Sequence, residues 1–316
     1  MLLAMHPVLS AWLRDHGGVI TSADAASLGL AGPELCAAAA RGEMERVTRG
    51  CYVQVARLAD ADPEQRHRLR LAAVLRDPQS RLVASHSSGA LVWGLPVSYA
   101  HLDRVHVARA VARGTTRQYS RHTLHEGYPE GTATVRHGIP VVIAPLAVLG
   151  TAFLYGMRAG VLATDAALHS KVTTYEELDT WIERLARTPG MTRARAAVHR
   201  SHAGAESAGE SLLRLILEDL GLRALPQFTV RDLDGCFVAR VDFYLPELGV
   251  VVEFDGVTKY DGARGGAALV AEKRREDDIR RLGYGVVRLT SKDLVEPGRI
   301  RRDVHRAAAA TGHLLA

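Results

Sequence analysis

Asp242 and Glu253 lie in two apolar runs joined by a short turn, and that spacing brings two carboxylates face to face. Phe237 to Leu245 is rich in β-branched and aromatic residues, and Val250 to Phe254 is nearly continuous apolar. Pro246 and Gly249 punctuate the turn between them, so the stretch reads as a β-hairpin. A loop centred between Glu247 and Leu248 sets Asp242 directly opposite Glu253 and Asp255 opposite Arg240. Opposed carboxylates repel and weaken a ladder. Glu253 also follows three valines in what reads as a central strand, where a carboxylate is costly unless paired or bound to metal. A divalent cation between the two acids turns repulsion into binding. Mg²⁺, or Mn²⁺ in its place, takes oxygen ligands and is commonly held by one or two carboxylates with water and phosphate. The expected metal ligands are therefore Asp242 and Glu253. Asp255 is a further candidate, against the reading that it pairs with Arg240. This is the geometry expected of a metal-dependent nuclease.

Other groups gather around that pair in the sequence. Ser207 and Glu210 match a capping box at the start of a helix. Glu210 at that place is also a candidate third ligand to metal or water, and the two roles are compatible. Lys259 follows Gly256 and is a candidate for orienting water or balancing phosphate charge, with plain surface exposure as the other reading. Gln227 is a weaker candidate for holding a water near the acids. Lys273, Arg274 and Arg275 sit on a helix interleaved with Glu272, Glu276, Asp277 and Asp278. Such a pattern is usually a solvated face with i,i+4 pairs, and these three cations are its candidates for contacting phosphate.

The elements that must position these groups fall into three expected domains, 1–58, 59–202 and 203–316. The first reads as helices at 7–16, 22–26 and 34–40, with Ser22 capping the second, then two short strands around Arg46 to Val53. That is the order of a winged helix, which commonly binds DNA. Its third helix is mostly alanine, so Arg46 and Arg49 on the wing are the phosphate candidates, with a protein-interaction winged helix as the other reading. The middle region reads as mixed α/β. His86 is expected before a helix as a cap or turn residue. His101, His106, His122, His125 and His137 alternate with arginines, which predicts a solvated or phosphate-facing surface. Residues 193–204 are the expected linker. The last region has the order α, β, β, β, α, β, α. The fold class is α/β, α+β overall.

Composition narrows the function classes. The 316 residues carry a formal charge of +5, which favours an anionic partner. Lys171, Lys259, Lys273 and Lys292 are the four lysines, and three lie in the last third, with the acids. The three cysteines are too far apart for a zinc site or a disulfide framework, which suits a reducing cytoplasm. The first seven residues do not read as a signal peptide. Gly138 to Met157 is uncharged over a membrane-spanning length, but Pro140, Pro145 and Gly150 break it up. It reads as a strand, 139–143, then a helix from Leu146, and no membrane partner is expected.

The last region resembles the restriction-endonuclease-like superfamily with a PD-(D/E)xK core, especially its very-short-patch-repair-like branch. The resemblance rests on Glu206-Ser-Ala-Gly-Glu210, Gln227, Arg240-Val-Asp242-Phe, Val252-Glu253-Phe-Asp255-Gly256, Glu272-Lys-Arg-Arg-Glu276 and Gly283-Tyr-Gly-Val-Val-Arg288. The whole chain is similar to actinobacterial proteins whose front half resembles abortive-infection type IV antitoxins, through the winged helix and Ser85-His86-Ser-Ser-Gly-Ala-Leu-Val-Trp-Gly-Leu-Pro96. The resemblance implies that Asp242 and Glu253 hold Mg²⁺ with Glu210 assisting, that DNA is the partner, and that a cognate toxin or a second copy of the chain is a further one. The chain departs from the pattern at Asp255, where the superfamily has lysine, and at Val241, where it has proline. The expected function is a metal-dependent DNA endonuclease with a winged-helix DNA-binding module, in defence or repair. Its rivals are a non-catalytic antitoxin-like regulator with a degenerate nuclease fold, and an RNA nuclease.

Overall fold

The computed structural model describes residues 5–30, 32–76, 81–111, 114–256 and 266–311, except the side chains of 266–271. It is mixed α/β with three sheets and divides into two compact units, Met1–Arg200 and Ser201–Ala316.

The front unit opens with α1 (Pro7–Asp15), β1 (Val19–Thr21), α2 (Ser22–Ser27), α3 (Gly32–Ala40), β2 (Met44–Thr48) and β3 (Cys51–Gln54). The strands form an antiparallel sheet in the order β1-β3-β2. This is a winged-helix order, with β1 as an added strand too short to show periodicity. Thr21, not Ser22, caps α2. Its hydroxyl accepts the Asp24 amide at 3.0 Å, and the Asp24 carboxylate accepts the Thr21 amide at 2.9 Å, a reciprocal box. Leu9, Leu13, Ile20, Leu35 and Met44 form the core beneath. Arg46 and Arg49 are exposed on the β2–β3 ribbon.

The chain continues through α4 (Val55–Asp60), α5 (Pro63–Leu75), β4 (Leu82–Ala84), α6 (His86–Val92), β5 (Val105–Arg109), β6 (Arg117–Gln118), β7 (His122–His125), β8 (Ala133–Arg136), β9 (Ile139–Val142), α7 (Ala144–His169), α8 (Tyr175–Arg184) and α9 (Met191–His199). The six strands order β6-β7-β5-β4-β9-β8. Val19, Val47 and Val53 share one core with Leu71, Val105, Val107 and Val141, so the position 58 boundary falls inside a continuous hydrophobic cluster. By length and composition α7 passes for a membrane span, but Gly156 interrupts it at φ 87° and its first two turns are buried in this unit. The expected linker at 193–204 is largely helix. Met191, Ala194, Ala197 and Val198 bury one face of α9, and the arginines between them mask that period.

The histidines correct a second expectation. His106, His122 and His125 are buried, because β5 and β7 are inner strands of the sheet. His106 Nδ1 lies 2.9 Å from His125 Nε2, and His106 Nε2 lies 3.0 Å from the Tyr155 hydroxyl. His86, at the first turn of α6 behind its N-cap Ser85, stacks on His125 with 3.7 Å between ring centres. Burial, then the neighbouring imidazoles, pushes His106 down to about 3, and burial pushes His125 down to about 4. The cluster is neutral at ordinary pH.

The back unit runs α10 (Ala208–Asp219), β10 (Leu225–Arg231), β11 (Phe237–Leu245), β12 (Val250–Asp255), α11 (Gly266–Arg281), β13 (Gly285–Thr290) and α12 (Pro297–Ala310). The sheet orders β10-β11-β12-β13, with the first three strands antiparallel and β13 parallel to β12. α10 and α12 cover one face. There Leu213, Ile216, Ile300 and Val304 pack on Phe243, Val252 and Val287. α11 covers the other, where Ile279 packs on Val241, Val251 and Val286. Burying a side chain the size of Phe243 is worth about 1.5–3 kcal/mol, so these two layers fix the sheet on which the acids stand.

Candidate active site

The hairpin register is the one the turn dictates: Phe243, Tyr244 and Leu245 pair with Val252, Val251 and Val250. The next rung would be Asp242 with Glu253, and there the ladder stops. Asp242 instead accepts the Phe254 backbone amide through Oδ2 at 2.7 Å. A side chain has taken over from the backbone. The β10–β11 ladder also skips a rung at this row, between Pro226–Phe243 and Phe228–Val241. The skipped residue is Gln227, held in the left-handed region at φ 54°. Val241 and Phe243 consequently pack on opposite faces of the sheet, so side-chain alternation changes phase at Asp242, as at a bulge. The change also removes Asp255 from Arg240. Arg240 pairs with Glu206, and Asp255 is in register with Thr290 on β13.

One polar row therefore crosses the sheet: Gln227, Asp242, Glu253 and Arg288. Glu253 and Arg288 are register partners in the parallel ladder. Glu210 joins the row from the first turn of α10. It accepts the Ser207 hydroxyl at 2.9 Å, the Glu206 amide at 3.0 Å and the Gln227 side-chain amide at 3.2 Å. The cap is thus a box shifted by one residue, since the glutamate takes the Glu206 amide rather than that of Ser207. Burial raises the Glu210 carboxyl above its ordinary value, its local hydrogen bonds lower it in part, and Asp242 adds to the rise.

Glu253 is 7% exposed and is held by two arginines. Arg275 donates to Oε1 at 2.8 Å, and Arg288 lies 3.1 Å from Oε2. Burial raises Glu253, the arginines oppose the rise, and Asp242 and Asp255 reinforce it. Arg288 is the hub. It bonds Glu272, lies 3.7 Å from Asp255, and brings Nε to 3.2 Å from Glu276, close enough for charge attraction but outside hydrogen-bond geometry. Burial works against its charge, but Glu272, Glu253 and Asp255 outweigh that and hold its pKa above the ordinary value.

Among the expected site residues, Glu210, Asp242 and Glu253 come together. Asp255 faces Arg288. Lys259 lies outside the described residues. Arg275 bonds Glu253, while Lys273 and Arg274 are exposed on α11. Sequence reasoning missed Arg288 as a site residue. Its signal was a lone arginine in an apolar strand, Gly285-Val-Val-Arg288-Leu. The described residues hold no group of three or more metal-ligating side chains. Two carboxylates suffice for a cation that arrives with water and phosphate, and a buried glutamate whose charge is disfavoured by Asp242 is a fitting donor.

Residues 8–53 match a family model described as "Transcriptional regulator, AbiEi antitoxin". The front of the chain carries an AbiEi antitoxin-like regulator domain. This AbiEi-like segment ends at the last residues of β3, so it coincides with the winged helix. Two curated relatives, the uncharacterized proteins MT2308 and Rv2248 from two strains of Mycobacterium tuberculosis, are each 31% identical to this chain over 153 residues. The match covers 47% of this chain and 55% of each relative, so the chain spans about half the length of the curated relatives it matches.

Proposed function

We propose that the back unit is a metal-dependent DNA endonuclease and that the AbiEi-like domain is its DNA-binding module. The observation that carries this reading is the acid row. Asp242 stands between Glu210 and Glu253 and raises the pKa of each, at the point where the β11–β12 ladder ends and the β10–β11 ladder loses a rung, and a side chain, not the backbone, caps Phe254. A sheet does not place a carboxylate between two others for stability, since Asp242 raises the cost of charging both.

Asp242 and Glu253 are the residues that would hold Mg²⁺. A bound Mg²⁺ supplies Lewis-acid stabilisation of charge on phosphate and lowers the pKa of water. Arg275 and Arg288 oppose the rise that burial imposes on Glu253. Glu210, whose pKa burial raises above its ordinary value, is the carboxylate that accepts a proton from water at Oε1 or Oε2. Gln227 fixes the direction of that carboxylate. Arg288 takes the place of the superfamily lysine as the cation beside the acids.

The test is cleavage of plasmid and oligonucleotide DNA by the full chain with MgCl₂ or EDTA, with Glu253→Gln as control. Cleavage that needs Mg²⁺ and Glu253 supports the reading. Failure on single-stranded, duplex, nicked and mismatched DNA overturns it, and RNA as competitor separates a ribonuclease. A second reading, a regulator whose nuclease fold no longer cleaves, is favoured by the match of residues 8–53 to a transcriptional-regulator family. It predicts duplex binding that survives both EDTA and Glu253→Gln, without cleavage.

A further inference from the structure

α12 is amphipathic, and its outer side is basic. Ile300, Val304 and Ala308 are buried, whereas Arg299, Arg302 and Arg306 stand three and seven positions apart on one exposed stripe. That stripe runs about 10 Å along the helix. It forms one wall of a cleft of about 640 Å³. Val286, Val287 and Arg288 of β13, the edge strand, make the floor, and Arg280 of α11 stands opposite. Five arginines line this cleft against one acid, Asp303.

We propose that this cleft seats the phosphate backbone of duplex DNA. Arginine's planar fork matches phosphate. The existing partners of these arginines do not forbid it. Arg280 gives to Glu276 and Arg306 to Asp303, each with the arginine exposed and the acid half-buried, and the exposed Arg299 divides itself between Asp303 and the buried Asp293. Such pairs are worth little and exchange readily for another anion. Arg302 has no partner among the described residues. Among the described residues the lining holds no aromatic side chain, so none of them stacks unpaired bases as single-strand clefts do. The inner end of the cleft is Arg288, whose guanidinium touches Glu253. A backbone lying along α12 therefore leads to the acid row. The inference rests on the nuclease reading for the identity of its anion as DNA, and its test is run without metal so that cleavage plays no part.

The experiment measures the affinity of the full chain for a short labelled duplex in EDTA across a salt series. Removing Arg302 and Arg306 together, as R302Q/R306Q, weakens binding and lowers the slope of log affinity against log salt by about 0.9 for each phosphate no longer neutralised. Arg301→Gln, exposed on the same helix but outside the lining, leaves the slope unchanged. Binding through the winged helix is common to every variant and cancels in the comparison. A double variant with the parent slope overturns the proposal. So does an Arg301→Gln slope that falls by half as much as the double variant's or more, since net charge alone then explains the loss. Cleavage with an unchanged slope removes the cleft and leaves the acid site. A lowered slope without cleavage does the reverse.

Discussion

Glu253 and Arg288 are register partners across the parallel β12–β13 ladder, with 3.1 Å between carboxylate and guanidinium. Two residues after this glutamate stands another acid, Asp255, and Arg288 brings positive charge to both from the neighbouring strand. The same guanidinium serves Asp255, Glu272 and Glu276, so one side chain balances four acids.

Arg288→Met is expected to cost about 1–3 kcal/mol, because four acids lose a shared countercharge in a partly buried site, while Arg275 still serves Glu253 and Arg280 still serves Glu276. Urea denaturation measures it. Added Mg²⁺ raises the unfolding midpoint of this variant more than that of the parent, since a cation that binds only the folded acids stabilises by mass action. A variant indifferent to Mg²⁺ counts against cation binding at Asp242 and Glu253.

Asp242 separates fold from chemistry. Asp242→Asn keeps an oxygen for the Phe254 amide and is expected to stay within about 1 kcal/mol of the parent, whereas Asp242→Ala strands that amide and costs about 1–3 kcal/mol. On the proposed nuclease function, both are expected to abolish Mg²⁺-dependent cleavage. Both also lower the Glu210 and Glu253 pKa values, which carboxyl NMR titration reads, because Asp242 contributes to raising each.

Gly209 lies against the Phe254 ring, and a Cβ built there would come within 2.0 Å of it. The collision is with a ring wedged in the core, not with a flexible chain end. Gly209→Ala is expected to destabilise by about 1–3 kcal/mol through overpacking and, by shifting Phe254, to reduce cleavage as well. Thermal unfolding together with the nuclease assay checks both outcomes.

The histidine cluster sets an acid limit on the front unit. His106 and His125 titrate at about 3 and about 4 when folded, below the unfolded value near 6.5. Between those values the unfolded chain binds protons that the folded chain refuses. Stability therefore falls as pH drops below about 6.5, by up to about 1.4 kcal/mol per pH unit for each histidine, and levels off near the folded values. His125→Gln is expected to flatten the acid side of the curve by about one proton, read from urea midpoints measured at several pH values.

Arg46 and Arg49 are exposed on the ribbon of the AbiEi-like domain. Replacing both with glutamine is expected to weaken duplex binding uniformly across sequences and to reduce the salt slope by about 0.9 for each phosphate these arginines neutralise. Fluorescence anisotropy in EDTA measures this. Retained slope and affinity would return the winged helix to a protein-interaction role.

Much of the back unit was legible because its signals are local. The turn at Pro246 to Gly249 fixes the register, and the register names Asp242 and Glu253 as neighbours. The phase change at Asp242 was not legible, since it depends on Gln227 adopting a positive φ on another strand, which no window along β11 contains. Arg288 was hidden for a similar reason. Its acids come from β12 and α11, and only the parallel crossover assembles them. The buried histidines were misread because alternation with arginine looks like a solvated strand. Val105 and Val107 on either side of His106 were the contrary sign, a strand covered on both faces.

The double gap in the ladders gives this sheet a seam. Pairing of β10 with β11 resumes beyond the Gln227–Asp242 line, whereas pairing of β11 with β12 ends at it; there the Asp242 carboxylate ties β11 to β12, and the Gln227 amide ties β10 to Glu210 of α10. Side-chain stitches reopen more easily than strand pairing. Amides flanking the seam will therefore exchange with deuterium ahead of those at Tyr244 and Val251, and bending of the sheet will concentrate there.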